Sequence, residues 1–225
     1  MKTIYEFLLK NKTTTSTQDT DYVDLGLPSG LLWATCNIGA EEPTDYGDYF
    51  MWGSTKPDTD KSCNWAHAPF NNGSYDCDED YFESIKNKVC PNGILAPEYD
   101  AATVILGDDW RLPTADEIKE LIDNTNHEWV ENYQGSRIKG MVFTPAVFTP
   151  MGFEANGNEL FIPASWYRGG PGFNIGGSAA YLWGSSLDTS SPYCASGLHF
   201  NDSSCNMRKL IRYYGLCLRG VKENK

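Results

Sequence analysis

The carboxyl-terminal stretch over residues 177–221 constrains the fold most, because many of its apolar residues come at every second position. Leu198 and Phe200 follow this spacing, and so do Leu216 and Leu218. A period of two is typical of strands with one buried face, while the Ser, Asn and Asp residues between the apolar runs are typical of turns. We therefore expect three or four short strands here, with a second face that is free for another role.

Three long polar residue types are missing from much of the same region. The chain has 27 Lys, Glu and Gln residues, yet none of them occurs over 160–208. Strands and turns disfavour strong helix formers, which is a structural explanation of the gap. A functional explanation, in which the surface uses a restricted set of side chains, stays open beside it.

One helix start stands out in the rest of the chain. Thr114 follows Pro113 and can cap the first turn, and Glu117 has the spacing of its capping-box partner. A weaker helical pattern runs over 80–88. We therefore expect a well-defined helix after Thr114 and few other helices.

Strand and turn signals dominate elsewhere. Two short strands are expected around a turn at 28–30, and a meander with an Asn-Gly turn at 156–157 is expected after the helix. A chain of 225 residues can bury a complete core as one domain. We predict an α+β fold with few helices, short strands and long ordered loops, in which a single domain over 22–225 follows an arm and linker over 1–21.

The amino-terminal arm carries one apolar cluster over 4–9, which Glu6 interrupts. This cluster is too short and too charged for a signal peptide, and no other run reaches transmembrane length. The pattern favours a short amphipathic helix followed by a Thr/Ser/Asp linker. Such an arm either docks on a larger assembly or frays as an ordinary terminus.

Charge and cysteine content exclude several classes of protein. The net charge of −12 argues against a nucleic-acid-binding surface. Seven cysteines without a CxxC pair argue against a zinc site and against a complete disulfide framework. The acidic residues Asp76, Asp78, Glu79 and Asp80 lack the spacing of a calcium-binding loop, so we expect a solvated acidic loop there.

Six motifs of the chain, taken in order, resemble the FISUMP-type major paralogous domain of bacterial surface proteins over about residues 22–221. They are LGLPSGLLWATCNIGA, DYGDYFMWG, GDDWRLPTADEIKEL, LFIPAS, YLWGSSL and RYYGLCLRGV. The resemblance implies a C-type lectin-like fold of the formylglycine-generating-enzyme subtype. In that fold the two ends of the domain pair as strands, and a long loop region presents ligands. The same fold carries the variable proteins of diversity-generating retroelements.

The resemblance also implies which residues form the framework of the fold. Trp166, Gly184 and Gly220 stand where the family usually has a small residue, a serine and a proline. The framework residues are Trp33, Trp110, Arg111, Leu112, Pro113, Trp183, Ser185, Arg212, Gly215 and Arg219.

Oxidases of the formylglycine-generating type need a copper-binding pair of cysteines, because thiolates capture Cu(I). Cys194, Cys205 and Cys217 are the candidates, but no enzyme motif surrounds them. A Cys-His pair that uses His199 lacks an orienting carboxylate motif, and the calcium-dependent sugar motif of C-type lectins does not occur in the sequence. We therefore expect no enzymatic activity, no catalytic residue, no metal site and no cofactor.

The variable-protein resemblance makes one test of the residues possible. Randomised adenines in AAC or AAT codons cannot produce Lys, Glu, Gln, Met or Trp, and over 187–208 only Met207 falls outside the reachable set. Turn-rich segments favour many of the same residues. The predicted ligand surface, expected to be exposed, consists of Trp166, Tyr167, Phe173, Asp188, Thr189, Ser191, Tyr193, Ser196, His199, Asn201, Asp202, Asn206 and Arg208.

These features together predict a non-enzymatic ligand-binding domain, of receptor-binding or adhesin type, with a diversified carboxyl-terminal surface. Its expected partner is a protein or glycan receptor on a cell surface, with no nucleic acid and no membrane insertion. Its expected location is a virion of phage origin or a bacterial cell surface. A structural decoration domain of a virion or cell surface is the alternative, and an oxidase of the formylglycine-generating type is the third.

Overall fold

The computed structural model describes residues 20–60, 63–74, 78–146, 158–169, 172–173 and 176–224. Within these residues it has three α-helices and several small antiparallel sheets, which confirms an α+β fold with few helices and short strands. The helices are α1 (Glu79–Val89), α2 (Ala101–Leu106) and α3 (Ala115–Asn124). The predicted arm helix and the predicted turn at 156–157 lie outside the described residues.

Eleven strands of two to nine residues make up the sheets of the described part. They are β1 (Tyr22–Asp24), β2 (Leu32–Ala34), β3 (Thr125–Val130), β4 (Gly140–Pro145), β5 (Leu160–Pro163), β6 (Arg168–Gly169), β7 (Gly172–Phe173), β8 (Ala179–Leu187), β9 (Cys194–Asn201), β10 (Ser204–Ile211) and β11 (Val221–Lys222). The meander predicted after α3 is present as the sheet β3-β4-β5. None of the helices in the described ranges is long and apolar enough to cross a membrane.

The helix start predicted at Thr114 is confirmed. The Thr114 hydroxyl accepts the backbone N–H of Glu117 at 3.3 Å, and the Glu117 carboxylate accepts the backbone N–H of Thr114 at 2.8 Å. The same carboxylate receives two hydrogen bonds of 2.7 Å from the Arg111 guanidinium. This bonded first turn orients α3 so that Ile118 and Leu121 are buried in the core.

The acidic cluster belongs to a helix rather than to a solvated loop, so that expectation is wrong. Asp78 is the N-cap of α1, where its carboxylate accepts the backbone N–H of Tyr81 at 2.8 Å. Glu79 and Asp80 occupy the first turn of α1. Negative charge is favourable at this end because the unpaired N–H groups of a helix point towards it. Asp76 lies outside the described residues.

The two ends of the described chain meet in one sheet. Strand β2 pairs with β1 on one side and with β11 on the other, so that Trp33 faces both Val23 and Val221. The turn between β1 and β2 closes with a bond of 2.8 Å from the Gly30 N–H to the Leu27 carbonyl. Gly30 has a φ of 73°, which suits a residue without Cβ. Pairing of the chain ends is what the family resemblance implies.

The sheet β10-β9-β8 lies between two hydrophobic clusters. Leu182 and Leu198 belong to the cluster on one face, whereas Trp183, Ala195 and Leu210 belong to the cluster on the other. The three or four strands expected over 177–221 are confirmed as β8, β9 and β10, with β11 starting at Val221, but the expectation of one buried face is wrong for β9. As the central strand of three it is covered on both sides, and residues 195–200 are all buried.

The residues that the resemblance assigns to the framework are buried, except for the half-buried Arg111. Trp183 is 1% exposed, and its indole N–H donates to the Phe50 carbonyl at 3.0 Å. Ser185 donates its backbone N–H to the Pro113 carbonyl at 2.8 Å, which joins β8 to the start of α3. These contacts join β8 to the start of α3 and to the segment that contains Phe50.

We predict that Trp183→Ala lowers the free energy of unfolding by about 3–5 kcal/mol, because it removes a buried ring and leaves a cavity in the core. Urea denaturation of both proteins measures the difference. Met207→Ala is the matched control, since Met207 is 44% exposed and its removal should change stability by no more than about 0.5 kcal/mol. Equal denaturation curves for wild type and Trp183→Ala would remove Trp183 from the framework.

Candidate ligand-binding surface

The structure separates the predicted ligand-binding residues by burial. The exposed ones are Thr189, Tyr193, Asp202 and Arg208. The half-buried ones are Trp166, Tyr167, Ser191, Asn201 and Asn206. The expectation of exposure is wrong for three residues, namely Asp188, Ser196 and His199, which are 7%, 8% and 3% exposed. Phe173 lies in the short hairpin formed by β6 and β7.

Asp188 is buried because its carboxylate holds the loop between β8 and β9. Its Oδ1 accepts the backbone N–H and the hydroxyl of Ser190 at 3.0 and 2.9 Å, and Lys209 Nζ on β10 lies 2.9 Å away. Burial alone would raise the pKa of this carboxyl, but the bonds from Ser190 and Lys209 outweigh it and hold the pKa of Asp188 below its usual range. Asp188 is therefore a structural anchor of the loop.

Ser196 and His199 are buried because they lie on the central strand β9. His199 is covered by Tyr181, whose ring centroid is 4.5 Å from that of the imidazole. Burial lowers the pKa of His199, and the nearby Arg208 lowers it further, so the imidazole is neutral at pH 7. Ser196 pairs with Lys209 and lies on the opposite face of the strand from His199.

One row of side chains crosses the sheet β10-β9-β8 on the face that also carries Trp183, Ala195 and Leu210. Tyr181 on β8, His199 on β9 and Asn206 on β10 are direct partners in the two strand pairings, so their side chains share one face. Arg208 is two residues beyond Asn206, lies on the same face, and donates from Nε to the Asn206 amide oxygen at 3.1 Å. Met207, between them, points to the other face.

Seven aromatic side chains, including Tyr181 of this row, form a continuous strip. We call this strip the aromatic ridge. Each ring contacts the next with centroids 4.9–6.1 Å apart. None of the seven is buried, because each lies at the solvent margin of the core. The ridge consists of Trp65, Trp166, Tyr167, Tyr181, Tyr193, Tyr213 and Tyr214.

A buried arginine holds one end of the aromatic ridge in place. The Arg212 guanidinium carbon lies 5.7 Å from the Trp65 ring centroid and 4.0 Å from that of Phe82. Arg212 Nε also donates to the Pro192 carbonyl at 2.6 Å, next to Tyr193. The same cation therefore supports the loop before β9 and the aromatic rings beside it, which limits how far they move.

The other end of the ridge is held by Arg168. Its guanidinium carbon lies 4.1 Å from the Tyr49 ring centroid, and its NH1 donates to the Asp58 carbonyl at 2.6 Å. The backbone of Arg168 exchanges two bonds of 2.8 Å with Gly215, directly after Tyr214. These bonds bring Tyr167 and Tyr214, which are distant in sequence, to a centroid distance of 5.0 Å.

Four ridge residues were not among the predicted ligand-binding residues: Trp65, Tyr181, Tyr213 and Tyr214. Tyr181, Tyr213 and Tyr214 belong to motifs that the resemblance treats as framework. The spacing of two between Tyr181 and Trp183 does place both on one strand face, and this signal could have found Tyr181. No sequence signal brings Trp65 to this surface, because its loop joins the ridge only through tertiary contacts.

The cysteines near the strands are poor nucleophiles. Burial raises the pKa of the Cys205 and Cys217 thiols to about 12, so both are protonated at neutral pH. Within the described ranges, the side chains form no group of three or more His, Cys, Asp or Glu residues placed to hold a metal ion.

Comparisons of the chain with protein-family models, with curated protein sequences and with solved structures found no match. The geometry of the aromatic ridge and the burial of its neighbours therefore carry the functional proposal.

We predict that Asp188→Ala lowers the free energy of unfolding by about 1–3 kcal/mol at pH 7, because Lys209 and Ser190 lose a buried partner. The lowered pKa of Asp188 makes this contribution complete above the usual carboxyl pKa and removes it as the pH falls through the folded value. Urea denaturation at pH 7 and below pH 4 measures both effects. The exposed neighbour Thr189 supplies the control Thr189→Ala, and equal costs for the two substitutions would contradict the anchoring role.

Proposed function

We propose that this chain is a non-enzymatic ligand-binding domain of receptor-binding or adhesin type, displayed on a virion or on a cell surface. The aromatic ridge is the observation that carries the proposal. Tyr, Trp and Arg side chains dominate the binding energy of protein interfaces, because they bury a large area and also form hydrogen bonds. The ridge combines seven such rings with the exposed cation of Arg208.

The ridge is suited to binding because its rings are already ordered. Arg212 and Arg168 hold its two ends, and neighbouring rings pack against one another along its length. A side chain that is fixed before binding loses little conformational entropy when a ligand arrives. The exposed polar residues Thr189 and Asp202 lie in the loops that flank β9 and can add adaptable hydrogen bonds.

The proposal includes a C-type lectin-like fold of the formylglycine-generating-enzyme subtype. Three observations support it: β1 and β11 pair with the same strand, long loops connect short strands, and the framework residues are nearly all buried. It also includes a diversified segment over 187–208, as in the variable proteins of diversity-generating retroelements. The exposed and half-buried residues of that segment are the positions at which variation is compatible with folding.

The proposed ligand is a protein or a glycan on a cell surface. Aromatic faces bind the apolar faces of sugars as well as apolar protein side chains. A decoration domain with a purely structural role would carry the same framework, but it would have no use for an ordered and accessible aromatic ridge.

We predict that Arg208→Ala and Tyr193→Ala each weaken binding to receptor-bearing cells by about tenfold or more, which corresponds to about 1.4 kcal/mol. Flow cytometry with labelled protein on a panel of bacterial strains measures the apparent affinity for any strain that binds.

Met207→Ser is the matched control for these two variants. Met207 is exposed on the same strand as Arg208 but points away from the aromatic ridge. We expect its affinity to stay within about twofold of wild type. Saturable binding that neither Arg208→Ala nor Tyr193→Ala weakens would place the ligand elsewhere, and no binding to any strain would favour the decoration domain.

We also predict how the segment 187–208 varies if it is diversified. Sequencing of the coding region from many isolates should show substitutions at Thr189, Tyr193 and Arg208, because these side chains are exposed. The buried Ala195 and Leu198 should stay unchanged, since a polar side chain there would enter the core. Equal variation at buried and exposed positions would contradict the assignment of this segment.

A further inference from the structure

Another surface of the structure is concave, and none of its lining residues belongs to the aromatic ridge. It forms between the 3-10 turn Pro97–Tyr99, the helix α2 and the segment before α3. Its volume is about 390 Å³ and its lining is mainly apolar. We call it the apolar groove. Its apolar wall is formed by Ile94, Leu95, Pro97, Trp110 and Leu112.

Exposed apolar side chains gather around this groove. In the described residues, seven large hydrophobic side chains are exposed. Ile94 lines the groove and is 38% exposed, while Val104 and Ile105 on α2 are 53% and 45% exposed. Thr103, the residue before them, lines the groove itself. Several exposed large apolar side chains in one region are a feature of docking sites.

The rim of the groove is acidic. Asp108, Asp109 and Glu223 line it, while the N-cap residue Asp100 is buried beneath them with its carboxylate bonded to backbone N–H groups. Arg111 is the one cation among its lining residues, and its guanidinium already pairs with Glu117 and Glu223 at 2.7 and 2.9 Å. An occupant with an apolar face and flanking positive charges therefore complements the groove.

The described chain begins beside the groove. Lys222 Nζ lies 3.8 Å from the ring centroid of Tyr22 and 4.9 Å from that of Trp110, which lines the groove. The ring of Tyr22, in the first strand, is therefore separated from the groove wall by a single ammonium group. Residue 20, the first of the described residues, is two positions before Tyr22 in the chain.

We propose that the apolar groove binds the segment over 4–9 of the chain's own amino-terminal arm. That segment is IYEFLL, which supplies five apolar side chains, and its neighbours Lys2, Lys10 and Lys12 supply positive charge against one Glu6. Twelve residues separate it from Tyr22, and a chain of that length spans up to roughly 40 Å, so it reaches the groove of its own domain. Burial of its apolar face and attraction to the acidic rim both favour docking.

Hydrogen exchange followed by mass spectrometry on the full chain tests this proposal. In wild type, we expect the amides of 4–9 to exchange about tenfold or more slowly than in an isolated peptide of residues 1–12, because docking fixes their hydrogen bonds. Phe7→Asp with Leu8→Asp on the arm, and Ile94→Asp in the groove, should each abolish the slowing. Asp108→Lys should reduce it through charge repulsion, as should 1 M NaCl.

Two substitutions control for nonspecific effects. Thr14→Asp adds a charge to the linker outside the docking segment, and Met207→Asp adds one at an exposed apolar residue outside the groove. Both should leave the exchange of 4–9 as in wild type. Exchange of 4–9 at the peptide rate in wild type would overturn the proposal, and so would slowing that Ile94→Asp leaves intact. Slowing that increases with protein concentration would also overturn it, because the arm would then dock on another molecule.

Discussion

A buried guanidinium ties the two ends of the domain to its middle. Arg219 is 1% exposed and bonds the Asn37 side chain at 2.9 Å, the Ala34 carbonyl at 2.9 Å and the Phe161 carbonyl at 3.3 Å, with a further bond to Thr35. Burial lowers its pKa to about 10, so the group stays charged at pH 7. A buried cation is costly unless its donors are paired. The carbonyls at the end of β2 and in β5 must therefore stay in place around it, and this fixes the sheet β1-β2-β11 against the sheet β3-β4-β5.

A second arginine does the same for the candidate surface. Arg212 lies among aromatic rings and bonds the loop before β9. Arg219, seven residues later, bonds strand β2 of the sheet β1-β2-β11. The segment between them is irregular in backbone, with Tyr213 and Tyr214 half-buried and residues 215–218 buried. This explains how short strands and long loops remain ordered: carbonyl groups that no sheet pairs are paired by guanidinium groups instead.

The aromatic ridge and the strand β9 have different roles in the proposed surface. The ridge is assembled from five separate parts of the chain, so its order depends on the whole fold. The loops at either end of β9 and the strand β10 contain the exposed residues of 187–208, whereas β9 itself is a core strand. A surface built in this way accepts substitutions at Thr189 or Arg208 without a change in the core, while Asp188 belongs to the supporting structure.

The sequence by itself determined the local elements whose cause is local. Thr114 and Glu117 define the start of α3 because a capping box needs only four residues, and the period of two over 177–221 predicts strands because alternation reflects burial.

Tertiary structure alone decided which strand is central. The alternation around Leu198 is the same for an edge strand and a central one, so the burial of His199 could not be read from it. Likewise Trp65 joins the ridge through contacts with Tyr193, Tyr213 and Arg212, and no local pattern encodes contacts between segments so distant in sequence.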